Sequence, residues 1–204
     1  MSIEQIAEYY STLNYEGDIG HEGSLNSLFI GSSVRNVAKG LKHLLSNGIL
    51  QYGSKFLDAG SGDGRIVAAA AELGFDAYGI EWHEDACAIS QQALLNLGFP
   101  AKIAFGDFTC DTSYESFGGF QSFDIIFNYM NGEQQISKKI ANESSFGTVF
   151  LYYTFHGQAN FMHLTPKEFK KLPKIELTDC EISGIRIQER ESAKGFMFPY
   201  VKLN

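Results

Sequence analysis

From Phe56 onward, short apolar runs alternate with segments of helical spacing, and that alternation predicts an α/β sheet. Lys55–Asp58 reads as the first strand, and it breaks into Gly60-Ser61-Gly62-Asp63-Gly64. The helix behind this turn carries Ile66, Ala69, Ala70 and Leu73 on one side and stops at Gly74. Ala77–Glu81 is a second strand. The next helix opens on Glu84 and Asp85, where carboxylates favour the positive end of the helix dipole, and its apolar side is Ala86, Ile89, Ala93 and Leu97. Ala101–Phe105 is a third strand, followed by a loose stretch to Phe120. Phe123–Phe127 is a fourth strand and Glu133–Ala141 a short helix. Thr148–Tyr153 is apolar on both faces, as a central parallel strand must be.

The two ends differ from this middle. Ile3, Ile6, Ala7 and Tyr10 recur at helical spacing, Tyr15–Gly20 breaks the pattern, and Ser33–Ser46 predicts a second helix with Val34, Val37, Leu41, Leu44 and Leu45 on one face. These first fifty residues read as a peripheral helical cap on a core spanning 51–204, within one domain. Near the C-terminus, Ile175–Ile187 and Phe196–Leu203 read as strands joined by the short Glu191–Gly195 turn, which implies an antiparallel pair. The predicted fold class is therefore α/β: a doubly wound, mostly parallel sheet with one antiparallel strand near its C-terminal end and helices on both faces.

Composition narrows the class without naming a reaction. Of 204 residues, 44% are hydrophobic and 20% charged, as in an ordinary globule with a substantial core. No apolar run is long enough to cross a bilayer, and the Met1-Ser2-Ile3-Glu4 start is not a signal peptide, so a cytoplasmic location with no membrane partner is expected. A formal charge of −8 argues against nonspecific nucleic-acid binding, which rests on phosphate neutralisation. Lys167, Lys170, Lys171 and Lys174 read as a solvated helix face. The cysteines Cys87, Cys110 and Cys180 lack metal spacing, as do the five scattered histidines, so no metal site is expected.

Candidate chemistry gathers where strands end. Open parallel sheets bind ligands at the C-terminal ends of their strands, near the switch in strand order. Asp58 with Gly60, Gly62 and Gly64 follows strand one, Glu81 ends strand two, Asp107 follows strand three, and Asn128-Tyr129-Met130-Asn131 follows strand four. Taken singly, each has an ordinary reading as a turn, cap or surface acid; in this order after successive strands they form a pattern. A carboxylate after strand two can accept hydrogen bonds from both ribose hydroxyls, and one after strand three can accept from the amino group of an adenine. Nicotinamide cofactors typically use G-x-G-x-x-G under a diphosphate; here Gly64 comes one residue early and Arg65 stands at the third glycine's place. Asp58 and Asp107 suit a ligand with a cationic end instead.

On FLDAGSGDGRIV, YGIEW, FGDF and FDIIFNYMNG the chain resembles the class I S-adenosylmethionine-dependent methyltransferases, over roughly Phe56–His156. GSGDGRIVAAAA and the spacing of strands four and five look most like small lysine-directed protein methyltransferases. The resemblance implies a seven-stranded sheet with the last strand inserted antiparallel, and S-adenosylmethionine as cofactor. It places Asp58 and Gly60 near the methionine portion, Gly62 in the turn, Glu81 on the ribose and Asp107 at the adenine, with Trp82 packing on the base. Asn128-Tyr129-Met130-Asn131 departs from the Asn/Asp-Pro-Pro-Tyr of amino-directed nucleic-acid methyltransferases, which argues against base methylation.

The reaction this implies needs alignment more than acid–base machinery, and no Ser-His-Asp or Cys-His set is present. Asn128 and Tyr129 are the candidate catalytic residues: the Asn128 oxygen to orient an amine, the Tyr129 ring to flank the sulfonium. His156 is a further loop candidate, and Tyr9, Tyr10 and Tyr15 fit a lid or packing onto the sheet edge. The expected partner is a protein lysine or a small-molecule acceptor, the latter favoured by an enclosed aromatic pocket of Tyr129, Tyr152, Tyr153 and Phe155. A non-catalytic cofactor-binding module serving a partner protein and a nucleotide-dependent oxidoreductase are the alternatives from other classes.

Overall fold

The computed structural model describes residues 1–13, 31–100, 102–130, 132–155, 159, 161, 163–177 and 195–203. Tyr15–Gly20, Ala101, Asn131, His156, Cys180, the 178–187 part of the sixth strand and most of the Glu191–Gly195 turn lie outside them. The strands are β1 (Lys55–Ala59), β2 (Asp76–Glu81), β3 (Ile103–Phe105), β4 (Ile125–Tyr129), β5 (Val149–Thr154), β6 (Phe169–Lys171), β7 (Ile175–Leu177) and β8 (Gly195–Lys202). The helices are α1 (Ile3–Thr12), α2 (Val34–Ser46), α3 (Arg65–Glu72), α4 (Glu84–Asn96) and α5 (Glu133–Glu143).

All strands join one sheet in the order β3-β2-β1-β4-β5-β8-β6, with β7 also on β8. The first five are parallel, and β8 runs antiparallel to β5. β6 pairs with 200–202 and β7 with 195–197 of the same strand, so these two short pieces occupy one position and the sheet has seven. The interruption has a cause. Leu172, Pro173 and Lys174 stand opposite only Phe198 and Pro199, and although Leu172 N–H donates to the Pro199 carbonyl at 2.9 Å, neither proline nitrogen has a hydrogen to give. The antiparallel reading of the C-terminus holds, with an earlier, broken partner strand.

Period-two alternation splits the core in two. Phe56, Ile125, Phe127, Leu151 and Tyr153 face α1 to α4; Leu57, Ile126, Phe150, Tyr152 and Tyr200 face α5 and the 3-10 turns Asp111–Phe117 and Phe120–Ser122. Helices thus cover both faces. Those turns occupy the stretch expected to be loose, with Tyr114 and Phe120 as their buried anchors.

Three further expectations are corrected. The N-terminal helices are not peripheral: Ile6, Val37, Leu41 and Leu44 are fully buried in the first core cluster. α1 starts on a capping box, Ser2 Oγ accepting from Gln5 N–H while Ser2 N–H donates to Gln5 Oε1. Tyr10 is buried and Tyr9 hydroxyl meets Asn96 Nδ2 at 3.1 Å, so both pack into the helix layer, not on the sheet edge. The lysine cluster is not on a helix either. Lys170 and Lys171 project from strand β6, with Lys171 Nζ over the Phe198 and Tyr200 rings.

Candidate functional site

Strand order reverses between β1 and β4, so their C-terminal ends open the crevice where such sheets bind ligands. Asp58 lies in β1 on the face of α3, 3% exposed. The turn above it needs left-handed backbone at Gly60 (φ 89°), Gly62 (φ 53°) and Gly64 (φ 80°). Gly64 also admits α4: a β-carbon there would sit 2.9 Å from Ser90 Cβ.

Glu81 ends β2, the strand next to β1. One of its carboxylate oxygens accepts from Gly62 N–H at 2.7 Å, the other from His83 N–H at 2.9 Å. The acid assigned to a ribose is thus also the clip that shapes the glycine turn, and each oxygen keeps a lone pair. Asp107 follows β3, on the other side of β2, where Glu81 pairs with Phe105 and its carbonyl accepts from Gly106 N–H. Asp107 is exposed and folds back on Thr109, taking its N–H at 2.7 Å and its hydroxyl at 2.8 Å. The ends of β1, β2 and β3 therefore bring Asp58, Glu81 and Asp107 to one rim in sequence order. Trp82 (66% exposed) and Phe105 (61% exposed) stand on the same rim with apolar surface in water.

Electrostatics mark Asp58. Burial pushes its carboxyl well above the usual range, and the neighbouring Glu81 and Asp63 charges push it further. It accepts no hydrogen bond from a described residue. It lines a cavity of about 40 Å³ with Gly60, Ser61, Arg65 and Tyr129. Ser61 Oγ, beside Gly79, is buried with no hydrogen-bond partner among the described residues. That space is large enough for about three waters, so it suits a small polar head group and not a nucleoside.

Sequence reasoning missed the ion pair beneath this cavity. Asp63, fully buried, takes Arg65 Nε at 2.9 Å and Arg65 Nη2 at 2.5 Å. The guanidinium packs against Gly31 and lies 5.6 Å from the Tyr10 ring. The available signal was the arginine standing where a dinucleotide turn has its third glycine.

The two candidate catalytic residues part company. Both lie inside β4, not after it, and alternation points them to opposite faces. Tyr129 shares the Asp58 face, its ring 5.0 Å from that of Tyr153 and 6.1 Å from that of Phe155. Asn128 is fully buried on the α5 face, where its Nδ2 donates to the Ala59 carbonyl at 2.9 Å. Tyr152 likewise leaves the anticipated four-ring pocket, packing against Phe161 and Phe150 in the opposite core.

No family model matches this sequence, and no curated protein does. Solved structures do. A candidate RNA methyltransferase from Pyrococcus horikoshii superposes with a TM-score of 0.64 at 17% identity, over 99% of this chain and 98% of its own. The chain has the class I methyltransferase fold. A precorrin-6y C5,15-methyltransferase from Geobacter metallireducens GS-15 gives 0.56 at 11% identity, covering 92% and 94%. A variant of MtNAS crystallised with S-adenosylmethionine gives 0.61 at 14% identity; the match takes in 84% of this chain and 63% of that longer one. Among the described residues no helix is long and apolar enough to cross a membrane.

Proposed function

We propose that the protein is an S-adenosylmethionine-dependent methyltransferase acting on an amino nitrogen. The observation that carries the cofactor part of this is the rim itself: three carboxylates at the ends of adjacent strands, around a glycine turn whose innermost acid has no described hydrogen-bond partner. The amino acceptor rests on the sequence resemblance alone. The structural neighbours crystallised with this cofactor or named as methyltransferases support the reading at the level of fold.

The residues fit the cofactor's parts. Asp58 is a buried acid whose anionic form is costly alone, so a bound ammonium would stabilise it. Glu81 keeps acceptor capacity for the ribose hydroxyls, and Asp107 sits one strand further out for the adenine amino group. Trp82 would pack on the base, with Phe105 beside it. The 40 Å³ cavity would take the amino-acid head while the nucleoside lies along the open rim.

When bound, the cofactor supplies an electrophilic methyl group on a sulfonium. Tyr129, on the Asp58 face, walls the place where it would sit, and cation–π attraction there contributes about 0.5–2 kcal/mol. Asn128 acts as a positioning residue, tying the end of β4 to Ala59 of β1. Holding the amine in line behind the methyl group can lower the barrier by up to roughly 10 kcal/mol. A neutral amine then needs only solvent to take its proton.

The test uses the full chain with methyl-labelled cofactor and panels of lysine peptides and small amines. Label on nitrogen is the expected result; label confined to oxygen acceptors overturns the amino assignment. Calorimetry with S-adenosylhomocysteine and NAD separates the cofactor classes, and tighter NAD binding overturns the whole reading. Turnover by the isolated chain eliminates a non-catalytic module.

A further inference from the structure

One wall of the turn cavity is shaped by a glycine whose backbone does not need to be glycine. Gly79 lies inside β2 without left-handed backbone, as the register partner of Asp58 in β1. The two residues therefore present the same face of the sheet, one strand apart at about 5 Å. The turn above is fastened to this strand: the N–H groups of Gly60 and Ser61 both donate to the Ile80 carbonyl, at 3.0 and 2.9 Å. A β-carbon at Gly79 would fall 2.7 Å from both Cβ and Oγ of Ser61. The Ser61 side chain thus takes the place that a side chain at 79 would fill, beside the Asp58 carboxyl.

Ser61 is 5% exposed and Asp58 is 3% exposed, and both line the cavity of about 40 Å³. Neither side chain has a hydrogen-bond partner among the described residues. The other charged groups around them are engaged: Asp63 holds Arg65, and Glu81 holds two turn amides. A buried hydroxyl without a partner is unfavourable, and a methyl in its place would pack without that penalty. The surroundings also select the sign of what enters. Glu81 and Asp63 lie close enough to Asp58 to oppose its charge, and the arginine on the wall is already paired. A second carboxylate would meet like charge there. An ammonium has three hydrogens to donate and no lone pair, which suits two carboxylate oxygens and one hydroxyl oxygen.

We infer that Ser61 is a specificity-determining residue for the cofactor: its Oγ and the Asp58 carboxylate jointly accept the ammonium of the amino-acid head, and Gly79 keeps the space in which they meet. The inference rests on the methyltransferase reading and names the part of the head that these side chains recognise. Ser61 reads the nitrogen and not the acid group.

Three nucleosides test it by calorimetry on the full chain: S-adenosylhomocysteine, its decarboxylated amine 5′-(3-aminopropylthio)-5′-deoxyadenosine, and 5′-methylthioadenosine, which has no head group. Ser61→Ala is expected to weaken the first two equally, tenfold or more, and to leave methylthioadenosine within twofold. Ser61→Cys, which restores bulk but offers only a weak acceptor, should behave the same way. Methylthioadenosine reports the integrity of the turn in each variant. Unchanged binding of S-adenosylhomocysteine means that the hydroxyl meets no ligand, and overturns the assignment. Loss of S-adenosylhomocysteine with the amine spared overturns it too, since Ser61 would then read the acid group. Equal loss of all three ligands does the same, because the hydroxyl would then serve only the shape of the turn. If the unaltered chain binds none of the three, the cofactor reading itself falls and takes this inference with it.

Discussion

Asp58 carries the sharpest expectation at the scale of single residues. Its carboxyl is held high by burial and by two neighbouring acids, so the folded protein keeps a proton there that the unfolded chain has lost. Stability from this group therefore falls as pH rises from the ordinary carboxylate value, about 4, through the raised folded value. Asp58→Asn should flatten that fall and raise the melting temperature at neutral pH, while weakening S-adenosylhomocysteine at least tenfold; calorimetry and thermal melts at several pH values check both. A substitution that stabilises the fold while impairing binding is the trade expected of a site residue. Trp82→Ala, on an exposed ring, should leave stability within about 0.5 kcal/mol. Loss of stacking on a base, on the order of 1–3 kcal/mol, should cost the same ligand roughly tenfold. The placement of Asp58, Glu81 and Asp107 on one rim was legible in the sequence because each lies at or just past the end of a strand. Glu81's grip on Gly62 and the Asp63–Arg65 pair were not, because side-chain direction within a turn depends on three-dimensional closure.

The glycine turn is the element on which the site hangs. Gly64→Ala meets two obstacles, a positive φ and Ser90 Cβ 2.9 Å from the new methyl. The expected cost is about 1–3 kcal/mol, read by chemical denaturation. Ser90→Gly in the same chain should recover only the part due to the clash, since the strained backbone remains. Element type was readable wherever period was strong: α2, α3, α4 and β5 match within two residues. The errors fall where pattern is short. β6 is three residues long and its lysines mimic helical spacing, while the Asp111–Phe117 turn has no sustained period to betray it. β4 extends two residues beyond its predicted end, and that shift moved Asn128 from a loop into the core.

Seen whole, the molecule divides its labour between faces. The glycine turn, Tyr129 and Arg65 lie on the side of α1 to α4, whereas Tyr114, Phe150, Tyr152 and Tyr200 fill the other side. The fold class was foreseeable from alternation of elements; the strand order was not, because one-dimensional spacing does not say which strands adjoin. The aromatic pocket failed for the same reason at smaller scale: Tyr152 and Tyr153 are neighbours in the chain and strangers in space. Hydrogen exchange should rank the sheet from its centre outward, with amides of β1 and β4 protected well beyond those of β6 and β7. Equal protection across all strands would mean that the outer position is held by more than its pairing with β8.

Pro199 gives that outer position a second meaning. A long bare margin of sheet invites another polypeptide to zip onto it, and proteins commonly defend such margins with proline, lysine and brevity. Here Pro199, set a strand inward, acts with Pro173 in the gap itself to break the border into two stubs, and lysines stud the first of them. Among the described residues, that flank offers self-assembly no continuous seam to extend.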